Sequence, residues 1–344
     1  MVYWGLFLWA ALAALFPRNL DQRGGQVVWT ATGIFFAIII GLRHEIGADW
    51  FTYLEHFSRT SAMPFMDAVG FKDPGYYALI WVVNALGGDI YDVNLISAVI
   101  FMGGLIIFAR QQPLPWIALV VAVPYLLIVV AMGYSRQGVA IGFALAGLAA
   151  LEKGRVRNFA IWVLLGAMFH KSAVLLLPIA ALAASRNRFL TMGLVGLTSV
   201  LAAWLFVLES RDVLWEMYVV RGKESGGGLI RVMMNAVPAT LLLLTYRRLE
   251  LSQAERKLWL WMAVLALACI PLVLLSSTAT DRVALYFIPL QIFVFSRIHR
   301  LAPTTRSRTG IVLAVIAYSA LVQFVWLNFA SHANAWVPYK FMPL

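Results

Sequence analysis

The feature that most constrains this chain is a succession of apolar runs, many about as long as a bilayer is thick, separated by short polar segments. Residues 26–42 (QVVWTATGIFFAIIIGL), 189–208 and 258–275 are examples. At a rise of about 1.5 Å per residue, helices of this length cross most or all of a hydrocarbon layer about 30 Å thick. With 62% of its 344 residues hydrophobic and 12% charged, the chain carries more apolar surface than one soluble core of that size buries. The alternation of porin strands is absent, so the runs read as helices. The expected fold is all-α, a polytopic transmembrane helical bundle of about ten to twelve spans with re-entrant or half helices. No repeat, low-complexity tract or linker divides residues 1–344, which read as a single integral membrane domain.

The spans are expected near 3–17, 26–42, 94–109, 114–131, 137–151, 189–208, 229–246, 258–275, 283–297 and 309–329. The first lacks a basic flank before it and a small-residue cleavage site, so it reads as a retained span. Two segments do not fit. Residues 76–87 (YYALIWVVNALG) are too short to cross and read as a re-entrant or interfacial helix. Residues 158–184 are overlong, with His170 and Lys171 at their middle and basic clusters at both ends. A single crossing would leave that pair at the bilayer centre, where charge is costly. A helical hairpin with its tip at His170 avoids this. The 27 Lys and Arg then divide as 16 cytoplasmic and 11 external, and the 16 Asp and Glu as 4 and 12. The cytoplasmic face carries +12 and the external face −1, which is the positive-inside rule. The net charge of +11 therefore calls for no nucleic-acid partner. Both termini are external in this threading.

Nearly all residues suited to chemistry fall on the external side, which includes a loop over 43–75 and another over 209–228. The segment GLRHEIGADWFTYLEHF (41–57) reads as an amphipathic surface helix. Glu45, Asp49, Thr52 and His56 share one face, and Trp50, Tyr53, Leu54 and Phe57 the other. Arg43 and Asp49 crowd the end of a span. MGYSRQGVA (132–140) sets Arg136 and Gln137 at the mouth of another, and MFHKSA (168–173) places His170 and Lys171 in the same layer. STATDRVALYF (277–287) opens a span with Asp281 and Arg282, and the loop 209–228 adds Arg211, Arg221 and Lys223 beside a glycine run. An always-charged, forked arginine suits phosphate oxygens, and a histidine suits proton exchange near neutral pH.

Other chemistries are poorly served. Ser135 is followed by Arg and Gln before Gly138, the wrong spacing for a hydrolase elbow. There is no His-Glu-x-x-His, no P-loop and no dinucleotide fingerprint, so neither metal nor nucleotide cofactor is expected. Asp89 and Asp92 read as a helix cap. Cys269 is the sole cysteine, which excludes an intrachain disulfide. The external inventory of fixed cations, a histidine, carboxylates and aromatics suits a diphosphate joined to a sugar.

The ordered set Gly41, Arg43, Gly47, Asp49 and Tyr53, then DPGYYALI (73–80), SRQGVAIG (135–142), FHKSAVLLLP (169–178), DRVALYFIPLQ (281–291) and WVPYKF (336–341) resembles the EpsG family of Wzy-like polysaccharide polymerases. The resemblance covers essentially the whole chain, although Asp73-Pro74-Gly75 stands where the family often has Glu-Pro-Gly. It implies a GT-C-like glycosyltransferase of the bacterial inner membrane. Such an enzyme joins undecaprenyl-diphosphate-linked oligosaccharide repeats at the periplasmic face for O-antigen, capsule or exopolysaccharide, without a cofactor. Its implied partners are the lipid-linked oligosaccharide, membrane lipids and a chain-length regulator. The family's motifs fall on Gly47 and Asp49, on Arg136 and Gln137, on Phe169, His170 and Ser172, and on Arg282. On this reading Arg136, Arg282, Arg43 and Lys171 bind the diphosphate, and His170 or Asp49 activates the acceptor hydroxyl. Gln137, Tyr53, Asp281 and Arg221 contact substrate. A flippase for the same lipid-linked sugars is disfavoured by the uncharged centres of spans 94–109, 189–208 and 258–275. A glycan ligase needs the same donor chemistry and remains open.

Overall fold

The computed structural model describes residues 1–16, 21–70, 73–183, 193, 196–197, 200, 227–275 and 277–343. Apart from 193, 196–197 and 200, the expected span 189–208 lies outside the described residues, as do the loop residues Arg211, Arg221 and Lys223. Elsewhere the chain is an all-α bundle. The helices Gln22–Gly41, Ile90–Ala109, Gly228–Arg248, Gln253–Leu274 and Thr305–Phe329 are each long and apolar enough to cross a membrane. Val2–Leu15 and Val156–Phe169 are shorter apolar helices.

At the centre lies Pro115–Ala122, continued by a π-helical stretch Val123–Ala131. Almost every side chain here is buried, as expected of a helix that is apolar all round. Ser135–Glu152 packs beside it and is equally enclosed. Thr305–Phe329 lies at the periphery and turns Leu313, Leu321, Phe324 and Val325 outward, toward lipid.

Polar contacts divide the helix ends into two layers. In one layer Arg297 donates to Glu255 at 2.8 Å and to Gln112, and the Trp259 indole donates to Glu152 at 2.8 Å. In the other, Tyr3 donates to the Trp336 carbonyl at 2.5 Å, Trp336 to that of Ile128 at 2.7 Å, and Tyr339 to that of Ile39 at 2.7 Å. The first helix and the C-terminal tail thus meet in this second layer, as the threading expects. Asp89 caps Ile90–Ala109 there through a reciprocal pair with Asp92, as read from the sequence.

The two segments that fail as spans behave as such. Pro74–Ala85 is a 12-residue helix, too short to cross. Val156–Phe169 stops at His170, whose backbone is extended (φ −154°, ψ 112°). The chain then returns through the 3-10 turn Lys171–Leu176 and the helix Leu177–Ala183, which pack back on Val156–Phe169.

The expected span 283–297 is not one helix. It is divided into Ser277–Ala284, the 3-10 turn Leu285–Phe287 and Pro289–Phe295. Pro289 lacks an N–H and stands at the first position of Pro289–Phe295, where a helix starts without needing that donor. The Ile288 N–H turns to Leu285 instead, and the Ala284 carbonyl is taken by Asn235 at 2.7 Å. Gln291 donates to the Asn235 side-chain Oδ1 at 2.8 Å and closes the network. Asn235→Leu removes both bonds inside the bundle, so its detergent-solubilised unfolding midpoint is expected to fall by the equivalent of about 1–2 kcal/mol. A midpoint equal to wild type would mean that Pro289 alone holds the break.

Candidate active site

The second layer gathers most of the residues singled out above, and the loop after Gln22–Gly41 sets their positions. The sequence suggested a helix from residue 41. The helix instead begins at Trp50, because Glu45 and Gly47 take left-handed backbone angles (φ 51° and 101°). Gly47 needs that freedom and also that size. A Cβ on it would lie 2.8 Å from both the Met132 carbonyl oxygen and the Gly133 Cα. Glu45, expected on the helix's polar face, instead pairs with Lys340 at 2.6 Å. His56, expected on that face too, turns to the Tyr77 hydroxyl at 3.2 Å.

Arg43, expected to bind diphosphate, is committed elsewhere. It is 1% exposed and donates to the Ile40 carbonyl at 2.7 Å, the Ile46 carbonyl at 3.4 Å, Ser135 at 2.8 Å and Asn94 at 3.3 Å. Burial pushes its pKa down to about 10, so the group remains a cation at neutral pH. Its role is to fasten the loop and the Ile90–Ala109 helix to the first residue of Ser135–Glu152. The next residue is Arg136.

Arg136 pairs with the Asp73 carboxylate at 2.7 Å, and its guanidinium lies 5.8 Å from the Tyr53 ring centre and 6.0 Å from that of Tyr76. Its Nε is buried with no hydrogen-bond partner among the described residues. Asp73 sits just before Pro74–Ala85, at 5% exposure. Gly75 lets that helix start against the end of Val156–Phe169, since a Cβ there would lie 2.9 Å from the Met168 Cβ. This approach brings the Lys171 backbone N–H to the Asp73 carboxylate. Burial raises the Asp73 pKa, while Arg136 and Lys171 pull it back.

Asp49 precedes the Trp50–Ser61 helix but makes no side-chain cap bond. Its half-buried carboxylate lies in the field of Arg136 and Arg282, and burial, the larger effect, raises its pKa. Arg282 is exposed, and its carbonyl accepts from Gln137 at 3.1 Å. Asp281 pairs with Arg231, which also donates to the Tyr125 hydroxyl on the π-helical stretch.

His170, at the turn of the hairpin, is hydrogen-bonded through Nδ1 to Ser172 at 2.5 Å, and Ser172 to the Tyr286 hydroxyl at 3.0 Å. With Ser172 donating to Tyr286, Nδ1 carries the proton and Nε2 the lone pair. Burial first, then Arg136, Arg282 and Lys171, push its pKa down to about 3.

The structure thus brings Asp49, Tyr53, Arg136, Gln137, His170, Lys171, Asp281 and Arg282 into one layer. It assigns Arg43 to the scaffold, and Arg221 lies outside the described residues. Sequence reasoning missed Arg231, Tyr76 and Tyr286, and gave Asp73 no role of its own. The buried polar residues within otherwise apolar runs are the signal that points to Arg231 and Tyr286. Among the described residues no three His, Cys, Asp or Glu side chains cluster in a way that could hold a metal ion.

The EpsG family model matches residues 26–341 of the chain. No match to a curated protein was found.

The depressed His170 pKa has a consequence for stability. Between pH 6.5 and about 3 the folded chain leaves His170 neutral while the unfolded chain protonates it. Its contribution is therefore complete above that window and is lost as the pH falls through it. His170→Gln is expected to lose less thermal stability than wild type on acidification from roughly pH 7 to 4.5. Equal losses would show that the folded protein protonates His170 as readily as the unfolded one.

Proposed function

This chain belongs to the EpsG family of Wzy-like polysaccharide polymerases, and from that premise we propose that it joins undecaprenyl-diphosphate-linked oligosaccharide repeats on the external, periplasmic face of a bacterial inner membrane. The observation that supports this most is the environment of Arg136. It is a cation fixed by Asp73 and flanked by two tyrosine rings, its buried Nε has no hydrogen-bond partner among the described residues, and Asp49 feels both its field and that of Arg282.

In the proposed reaction the bond from the anomeric carbon to the diphosphate oxygen breaks, and its electron pair stays on the diphosphate. The acceptor hydroxyl oxygen bonds to that carbon, and its proton passes to a base. Arg136 and Arg282 stabilise the charge that develops on the leaving diphosphate, with Lys171 beside them. Guanidinium groups supply the charge stabilisation in this scheme.

Between the two candidate bases, the electrostatics favour Asp49. A general base works best with a pKa near the operating pH. Burial raises the Asp49 carboxyl toward that range, whereas His170 is held near 3, where it is a weak base. Asp73 is already engaged by Arg136 and the Lys171 N–H and serves to position Arg136. His170 acts as a neutral hydrogen-bonding group. Tyr53 and Gln137 complete the substrate contacts, and Asp281 acts through its pair with Arg231.

Purified protein supplied only with lipid-linked repeats is expected to yield a ladder of longer lipid-linked products. Absence of a ladder with an active preparation would favour a ligase or transporter. Asp49→Asn is expected to slow ladder formation about 10²- to 10⁴-fold, and Arg136→Ala about 10²- to 10³-fold. His170→Gln retains more activity than Asp49→Asn. The reverse order would transfer the role of base to His170.

A further inference from the structure

The layer opposite the active site contains an apolar groove of about 300 Å³ between three elements. Leu241 lines it from Gly228–Thr245, Phe295 and Leu301 from the segment after Pro289, and Ile311, Ala314 and Tyr318 from Thr305–Phe329. Its rim is cationic. Arg300 is exposed within the 3-10 turn Ile298–Leu301, two residues of which line the groove. Arg308 stands one helical turn before Ile311 on the same face, and its Nε donates to the Ala302 carbonyl at 3.1 Å. That bond fixes the arginine beside Leu301 and leaves its terminal nitrogens available.

Among the described residues no carboxylate pairs with these charges. Glu255 is taken by the buried Arg297, and among the described residues neither Arg300 nor Arg308 has an ion-pair partner. His299, beside Arg300 in the same turn, lies in the field of Arg300, Arg308 and Arg297, against which a hydrogen bond with the Ser296 backbone is the one influence that favours its protonation. An unbalanced cationic rim above an apolar slot calls for a ligand with an anionic head and a hydrocarbon tail. Guanidinium groups match a phosphodiester in shape and charge, whereas the ammonium of a zwitterionic headgroup would be repelled by the rim.

We propose that this groove binds one anionic glycerophospholipid, with an acyl chain between Leu241, Phe295 and Ala314 and the phosphodiester between Arg300 and Arg308. The site is independent of the reading given above for the active site and is tested by binding rather than by polymer formation.

The test is native mass spectrometry of the full-length protein in detergent, with equal amounts of phosphatidylglycerol and phosphatidylcholine added. Selective retention of one phosphatidylglycerol is expected. The pair R300Q/R308Q is expected to weaken that retention roughly 30-fold, about a factor of five for each arginine. Ala314→Trp fills the groove from an exposed position without altering charge, and is expected to reduce retention as well. If the double variant does not fold, Ala314→Trp decides alone. Equal retention of the two lipids, wild-type retention by Ala314→Trp, equal binding of free glycerol 3-phosphate, or a second copy of the chain in place of lipid would each overturn the assignment.

Discussion

The second layer is organised around one buried cation. Arg43 has a guanidinium that is out of contact with water, and such a group is tolerated only when its donors are satisfied. The structure satisfies them with the Ile40 carbonyl at the end of Gln22–Gly41, the Ile46 carbonyl of its own loop, and side chains from two other helices, Asn94 and Ser135. A requirement of local electrostatics thereby becomes a long-range tie. The loop cannot drift without stranding a buried charge, and the start of Ser135–Glu152 cannot drift from the loop. Arg136 inherits its position from that tie, and Asp49 is held six residues beyond Arg43 on the same loop.

The span positions were legible because lipid imposes a simple rule. A helix facing hydrocarbon must be apolar over its length, and this shows in one dimension as Gln22–Gly41, Ile90–Ala109 and Gln253–Leu275. The hairpin at His170 was legible for the converse reason, since a His-Lys pair cannot sit at the bilayer centre. The break at 285–288 was not, because hydropathy is blind to where hydrogen bonds go. The freed carbonyl of Ala284 is answered by Asn235, 49 residues earlier. The roles of Arg43 and Arg136 were illegible for the same reason. Both are arginines at the end of a span, and only their partners distinguish them. Those partners are Ser135 for the first and, for the second, Asp73, 63 residues away.

Buried arginines are handled in two ways, and the contrast separates scaffold from candidate site. Arg297 is 3% exposed and enclosed by Glu255, Gln112 and the ring of Phe293, 3.7 Å from its guanidinium carbon. Little of its hydrogen-bonding capacity remains, as with Arg43. Arg136 has a side chain 27% exposed, held by the Asp73 carboxylate and by a hydrogen bond with Tyr53, and a buried Nε without a hydrogen-bond partner among the described residues. A cation that is fixed yet incompletely satisfied costs the folded chain free energy that an anionic ligand can recover.

The same reasoning explains why the chemistry collects where helices fail to span. A continuous transmembrane helix satisfies its own backbone and offers lipid an apolar face, which leaves no place for a group that must be both buried and reactive. Asp49 follows a left-handed loop, Asp73 precedes a half helix, His170 stands at a hairpin turn and Arg282 lies in a helix that stops at a proline break. Each irregularity is sheltered by protein rather than lipid, and together they form a polar layer with its own field. Two carboxylates and one imidazole share that field with opposite results. Burial raises the pKa of each acid and lowers that of the base, and the arginines then restrain the acids while depressing the histidine further. At neutral pH the layer therefore offers guanidinium groups, a neutral imidazole and, in Asp49, a carboxylate that has no ion-pair partner among the described residues. That is the set of groups needed to hold a diphosphate and accept a proton beside it.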